Sequence, residues 1–206
     1  MRERWITGID EVGRGPLAGP VTVAACAVEV CMIRKLQNTK TPLRDSKKLS
    51  SAQREQWFKI IQKLKKQRKI MYAVANISPK IIDTINITCA ANRAATRAYT
   101  KLITKNLKLK TDAKLYLDGG LYLEEPYKKL GKTIIKGDEK ISAISLASII
   151  AKVMRDRYME KMHIHYPHYC FHTHKGYGTR AHYKALLRHG ASPLHRKTFL
   201  SFLKSV

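Results

Sequence analysis

Acidic residues are few in this chain. Fifteen Asp plus Glu stand against 40 Lys plus Arg in 206 residues, a formal net charge of +25. That excess goes well beyond what solubility needs and points to a polyanionic partner, nucleic acid first and an anionic membrane surface second. Cysteine is also scarce. Cys26, Cys31, Cys89 and Cys170 form no Cys-x-x-Cys pair and read as reduced thiols in a cytosolic protein. No apolar run reaches membrane-spanning length, because Glu29 interrupts the longest, Val21 to Ile33. No repeat or low-complexity tract stands out. No secretory leader is expected, since Asp10 and Glu11 fall where its apolar segment would be. A cytoplasmic protein with no membrane association is the expectation. The 44% apolar content suffices for one sizeable core, with room for a helical appendage, on a chain of this length.

The coarse pattern alternates strands and helices. Trp5 to Ile9 reads as a first strand and Val21 to Val30 as one buried on both faces. A helix capped by Ser50 or Ser51 runs to about Gln67, with bases crowding its far end. Ile70 to Ile77 is a strand, and Ile81 to about Asn106 reads as one long helix. Lys114 to Leu117 and Thr133 to Ile135 are short strands. Ile141 to about Lys161 is a strong helix with small residues on one side, and Thr179 to about His189 is a tail helix. This order predicts an α/β domain, a mixed sheet flanked by helices.

The few acids sit in unusual company. Asp10 and Glu11 end an apolar lead-in and are followed by Gly13-Arg14-Gly15. Glycines let the backbone approach a ligand with its N–H groups free. Neighbouring strand residues point to opposite faces, so both acids serve one site only if the strand ends or bulges there. Asp118 closes Leu-Tyr-Leu-Asp-Gly-Gly, which is also a common turn pattern. Asp138 lies in Lys-Gly-Asp-Glu-Lys. Asp156 lies between Arg155 and Arg157, where surface pairing is the plainer reading. Five of the 15 acids thus sit in apolar or glycine contexts. Hard oxygen donors beside a nucleic-acid partner point to Mg²⁺ or Mn²⁺, and a pair of such ions can activate water and stabilise the leaving oxygen of a phosphodiester. His163, His165, His168, His172 and His174 match no zinc spacing and read as a polar tail facing nucleic acid. Tyr177, between two glycines and next to Lys175-Gly176, suits stacking on a sugar or base, or equally a half-buried place in a tight loop.

Together these stretches resemble ribonuclease HII, the bacterial type 2 ribonuclease H. The resemblance runs through Asp10-Glu11-x-Gly-Arg-Gly-Pro-Leu-Ala-Gly-Pro-Val, Asp45-Ser-Lys-Lys-Leu-Ser50, Ile82-Asp83-x-Ile85-Asn86-Ile87, Leu117-Asp118-Gly119 and Lys136-Gly137-Asp138. It continues through Ser145-x-Ala-Ser148-Ile-x-Ala-Lys152-Val-x-Arg155-Asp156, His174-Lys-Gly-Tyr-Gly-Thr179, and His189-Gly190 with Ser192-Pro193-x-His195-Arg196 and Phe199. It implies an RNase H-like catalytic domain over 1–161 and a C-terminal helical extension, 162–206, packed on it as one structural unit. It implies a metal-dependent endonuclease, active as a monomer with Mn²⁺ or Mg²⁺, two ions during catalysis. Such an enzyme cleaves 5′ to a ribonucleotide in RNA–DNA hybrid or ribonucleotide-containing duplex DNA, removing misincorporated ribonucleotides and RNA primers in replication and repair. Asp10, Glu11 and Asp118 match the metal-binding acids, and either Asp138 or Asp156 matches the fourth catalytic carboxylate. Gly13, Arg14 and Gly15 match the turn that holds the ribose 2′-hydroxyl, Lys47 the base near the scissile phosphate, and Tyr177 the stacking tyrosine. Val12 and Gly120 depart from the family's usual alanine and asparagine. A non-enzymatic basic nucleic-acid-binding protein is the rival reading. Ribonuclease HIII is a weaker one, because that type carries an extra N-terminal domain and this chain starts at its first strand.

Overall fold

The computed structural model describes residues 4–38, 43 and 46–204, apart from the side chains of Lys47, Leu203 and Lys204. The fold is built on β2, Val21–Glu29, whose residues are all buried. Val21, Val23, Ala25 and Ala27 turn into one apolar cluster, and Ala24, Cys26 and Val28 into the other. A strand covered on both faces has no use for polar alternation, so its sequence is a run. β1 (Trp5–Val12) and β3 (Ile70–Ile77) flank it antiparallel. β4 (Ala113–Asp118) lies parallel to β1, and β5 (Lys132–Ile134) parallel to β4. The order across the sheet is β3-β2-β1-β4-β5.

The helices in chain order are α1 (Val30–Gln37), α2 (Ser51–Lys66), α3 (Pro79–Ile85), α4 (Ile87–Lys105), α5 (Gly137–Lys140), α6 (Ser142–His165), α7 (Phe171–His174) and α8 (Arg180–His189). α4 covers one face of the sheet with Ala90, Ala91, Ala94, Ala95 and Ala98. α6 covers the other with Ala143, Ala147 and Ala151, next to α2. The approach of α6 is closest at Gly8, where a Cβ would run into the backbone of Ala143 and Ile144. Ser50 caps α2: its Oγ accepts from Gln53 N at 3.2 Å and its N–H donates to Gln53 Oε1 at 2.8 Å, so two otherwise unsatisfied donors are paired. Among the described residues no helix is long and apolar enough to cross a membrane.

Three expectations need correction. The long helix expected from Ile81 divides at Asn86, which has φ +64° and caps α4 by accepting from Cys89 N at 3.0 Å. An asparagine tolerates the left-handed region because its side chain bonds locally, and a helix cannot run through that conformation. The chain after β2 forms α1, where the sequence showed no separate helix. The first strand runs past Ile9 to Val12, with Asp10 opposite Ala24 and Glu11 opposite Val23 in unbroken register.

The tail is sewn to the start of the chain. Ala18 bridges to His195, Gly19 N donates to Leu194 O at 2.8 Å, and Arg196 N donates to Leu17 O at 2.8 Å. Leu17, Ala18 and Met159 share an apolar cluster with Tyr169, Phe171, Leu186 and Leu194. α6 passes through residue 161 as a continuous helix.

Candidate active site

What ends beyond Ile9 is the pairing of β1 with β4, whose last register pair is Ile9 with Leu117. The next residues on the two strands are Asp10 and Asp118. Parallel neighbours in register stand about 5 Å apart, so these two carboxylates share one edge and one face. Ile9, Leu115 and Leu117 belong to the cluster under α4, so the alternating Asp10 and Asp118 turn toward α6. β5 ends beside Asp118, and the chain then turns through Lys136 at φ +54° into α5, which carries Asp138. Gly137 N donates to Asp118 Oδ1 at 2.7 Å, and Ser145 Oγ donates to the Asp138 carbonyl at 2.6 Å. One carboxylate oxygen each from Asp10, Asp118 and Asp138 lies within 4.8 Å of the others. Asp118 and Asp138 also line an open cavity of about 480 Å³ with Gly119, Gly120 and Lys136.

Glu11 is not among the three grouped acids, though it lies near enough to Asp10 and Asp118 to interact with both. Its Oε1 accepts from Arg14 Nε at 2.6 Å, and Arg14 Nη2 donates to the Gly120 carbonyl at 3.0 Å. Its Oε2 is buried and has no hydrogen-bond partner among the described residues. Burial, then Glu11 and Asp118, push the Asp10 carboxyl well above its ordinary range, against hydrogen bonds from Ser148 and Glu11 N–H. Burial also raises the Glu11 carboxyl, while Arg14 opposes the shift. Such a crowd of carboxylates, with one buried oxygen unpartnered, suits a divalent cation bound through oxygen.

α6 works as a ruler along this edge. Ala143 sits over Gly8, Ser148 bonds Asp10 and Ser46 (Oγ to Oγ 2.7 Å), and Arg155 reaches Gly13 and Pro20. From Ala143 to Arg155 the helix rises about 18 Å, close to the five-residue advance of β1 from Gly8 to Gly13. The sequence did not single out Arg155 or Arg196 as site residues, yet both side chains are fully buried. Arg155 donates to the carbonyls of Ala18, Pro20 and Lys175. Arg196 donates to those of Gly13, Arg14 and Gly19. The two guanidinium groups take the carbonyls of Gly13, Arg14, Ala18 and Gly19, and the N–H groups of Leu17, Ala18 and Gly19 are bonded to Gly176 O and Leu194 O, so among the described residues it is the N–H groups of Gly13 to Gly15 that are left without a backbone partner. Gly13 has φ +92°, and a Cβ there would strike the Arg155 side chain, whereas one at Gly15 would meet open space. Standing between His195 and Lys197, Arg196 carries no local signal of its burial.

Other expected residues fall as follows. Asp156 stands apart from the three grouped acids: its Oδ1 accepts from Lys152 Nζ at 2.8 Å on α6. It does not pair with the arginines beside it, because Arg155 is buried and Arg157 bonds Glu55 at 2.8 Å. Ser46–Lys48 forms a 3-10 turn at the site's rim, where Lys48 bonds Glu139 at 2.5 Å. The Lys47 side chain and Asp45 lie outside the described residues. Tyr177 is 41% exposed, with Arg155 6.0 Å from its ring centre.

Of the five histidines expected in a polar, nucleic-acid-facing tail, His165, His168 and His172 are exposed and His163 is partly so, but His174 is core. His174, His182 and His195 are buried. His182 Nδ1 lies 2.9 Å from the Tyr177 carbonyl, so it donates and leaves Nε2 as an acceptor. His195 Nδ1 accepts from Ser192 N at 2.9 Å, so its Nε2–H donates to His182 Nε2 at 2.9 Å. A proton on either ring would put two N–H groups face to face or displace a backbone partner. Burial accordingly lowers both rings to about 4 from 6.5. The unfolded chain therefore takes up these protons first, and their contribution to stability, full above pH 6.5, is lost as pH falls toward 4. Thermal melts of the metal-free protein should move to lower temperature across that window. Asp10 acts in the opposite direction over part of it, so the Asp10→Asn protein gives the cleaner acid slope. A melting temperature flat from pH 7 to pH 4 in that variant would overturn the tautomer assignment.

The sequence model of the family described as Ribonuclease HII matches residues 7–202. The ribonuclease HII of Shouchella clausii is 42% identical over 199 residues, 97% of this chain and 70% of that protein. The ribonuclease HII of Endomicrobium trichonymphae is 43% identical over 194 residues, 94% of this chain and 84% of its own length. The crystal structure of the ribonuclease H2 from Pyrococcus horikoshii superposes with a TM-score of 0.71 at 25% identity, covering 97% of this chain and 96% of that one.

Proposed function

This chain belongs to the ribonuclease HII family, and from that premise we propose that its clustered carboxylates hydrolyse the phosphodiester 5′ to a ribonucleotide, leaving 3′-hydroxyl and 5′-phosphate ends. Ribonuclease H activity comes with that membership, which also sets aside a non-enzymatic binding protein. The finer reading is that RNA–DNA hybrid and duplex DNA with embedded ribonucleotides are both substrates. The observation that carries it is the approach of Asp10, Asp118 and Asp138 within 4.8 Å, beside a loop that offers backbone donors.

Asp10, Asp118 and Asp138 would hold the divalent cations, Mn²⁺ or Mg²⁺, with the buried Oε2 of Glu11 as a further donor. Two such ions would supply an activated water and charge neutralisation at the phosphate. The chain's own residues do the selecting. Arg14 is committed to Glu11 and to the Gly120 carbonyl, so it steadies the acid while the peptide N–H groups from Gly13 to Gly15 meet the substrate. The open space at Gly15 admits the ribose there, and its 2′-hydroxyl is the group that separates RNA from DNA. Half-exposed Tyr177, backed by Arg155, offers a ring face to the adjoining sugar. Lys47 would approach the scissile phosphate.

The geometry favours Asp138 over Asp156 as the fourth carboxylate. Asp138→Asn should cut nicking of a duplex with one ribonucleotide by at least about 10²-fold, more than loss of an outer partner of a metal ligand usually costs. Asp156→Asn removes a partly buried pair with Lys152 that stands apart from the grouped acids and should change the rate by less than about five-fold. Initial rates in Mn²⁺ and in Mg²⁺ measure both, and the reverse ranking would move the fourth ligand to α6.

A further inference from the structure

The pole of the sheet opposite the carboxylates carries a second feature. α2 and α4 both end there, on either side of the start of β3, and their last residues line a cavity of about 550 Å³ formed by Lys65, Arg68, Tyr72, Lys105 and Asn106. The start of β1 at Trp5 marks the same end, about 17 Å along the strand from Asp10. Lys63, Lys65, Lys66, Arg68 and Lys105 are exposed, and among the described residues none has a carboxylate partner. Lys108 and Lys110 continue the charge past the end of α4. The buried acid of this pole, Glu29, is already bonded to Arg4 at 2.9 Å and Lys69 at 2.8 Å.

Bases at a helix C-terminus complement its dipole, and one or two would do so. This pole holds more than that, in an arrangement with a cost. Arg68 occupies the left-handed position after α2, φ +57°, while Lys69 N closes the turn onto the Leu64 carbonyl at 2.9 Å. That position ordinarily belongs to glycine. An arginine there joins Lys65 and Lys105 as a third cation lining the cavity, while Lys63 and Lys66 line a neighbouring one. Lys65 lies 4.2 Å over the ring of Tyr72, whose hydroxyl is 2.6 Å from Gln62 Nε2, so the ring is covered and unavailable for stacking. Ile70 and Met71 complete the wall beside its charged groups and hydrogen-bond donors. A concave, cationic notch of this kind receives a ridge of phosphates better than a flat membrane.

We infer that this pole is a second nucleic-acid contact, binding the phosphate backbone of a duplex without regard to sequence while the opposite end of the sheet engages the substrate. Such a contact lets one molecule touch two duplex segments, and it raises the time an enzyme seeking rare ribonucleotides spends on DNA. The inference takes from the functional reading only that the partner is a duplex.

The test reads the pole directly. Full-length protein is titrated with a short ribonucleotide-free DNA duplex, and amine acetylation of each lysine is followed by mass spectrometry. Labelling of Lys63, Lys65 and Lys66 should fall several-fold as the second equivalent of duplex is added. The Lys63→Gln/Lys65→Gln/Lys66→Gln/Arg68→Gln protein should bind one duplex where the parent binds two, with an unchanged nicking rate on a short substrate. Arg68→Gly relieves the backbone, so it should melt no lower than the parent and still weaken the second binding step. Unchanged labelling at saturating duplex, protection by anionic lipid vesicles in place of DNA, or a quadruple variant that keeps both duplexes would each overturn the inference. Loss of nicking with the pole still protected would instead count against the catalytic reading.

Discussion

Asp10→Asn, or Asp118→Asn, should lower nicking of a one-ribonucleotide duplex by at least about 10³-fold, because loss of a cation ligand removes several kcal/mol of charge stabilisation. The same substitutions should make the metal-free protein more stable, and the two effects together separate a chemical role from a structural one. Asp10 is buried beside Asp118 and Glu11, which holds its carboxyl well above the ordinary range. For an acid whose folded value is raised, the folded state binds the proton more readily. The ionisation penalty is absent below pH 3.8 and grows as pH rises through the folded value. An asparagine does not ionise, so its gain in melting temperature should be small in acid and largest at neutral pH. Adding Mn²⁺ should raise the melting temperature of the parent protein and leave that of Asp10→Asn nearly unmoved. Nicking at the parent rate by either variant would end the assignment.

Arg196→Met should destabilise the fold by about 3–5 kcal/mol, since it leaves three carbonyls without their donor at about 1–3 kcal/mol each. On a chain of this length that corresponds to a fall of roughly 10 °C in melting temperature. The guanidinium donates to Gly19 O at 3.0 and 2.9 Å, to Arg14 O at 2.7 Å and to Gly13 O at 2.5 Å, and Phe199 packs 5.1 Å away. Burial and the nearby Arg155 lower its pKa to about 9, which still leaves it charged at neutral pH. Methionine fills the volume and supplies none of the donors. Arg196→Lys should recover little, because one ammonium cannot span carbonyls at both ends of the loop. Since the proposed ribose contacts lie on this loop, KM should rise in any fraction that folds. Denaturant titration and nicking kinetics check the two halves of the prediction, and a loss of stability under about 1 kcal/mol would show that water replaces the arginine at no cost.

The sequence by itself determined the strands and the chemistry. The Val-Ala run of β2, the Ser50 cap of α2 and the Thr179 cap of α8 are local signals, fixed by side-chain entropy and hydrogen bonding within a few residues. So are the strand-end Asp118 and the glycines around Arg14. The break at Asn86 was legible in principle, from an asparagine ahead of an alanine-rich helix, but it competes with an apolar period that runs through both α3 and α4. Tertiary structure decided which acids meet. Asp10 and Asp118 adjoin because Ile9 pairs with Leu117, and Asp138 joins them because β5 ends alongside. Asp156, the alternative match, goes to Lys152. The two buried arginines were likewise beyond reach of composition, since a charged residue enters a core only where partners satisfy it, and theirs are distant in sequence. Gly13 comes within reach of Arg196 only after the tail has folded back over the first loop.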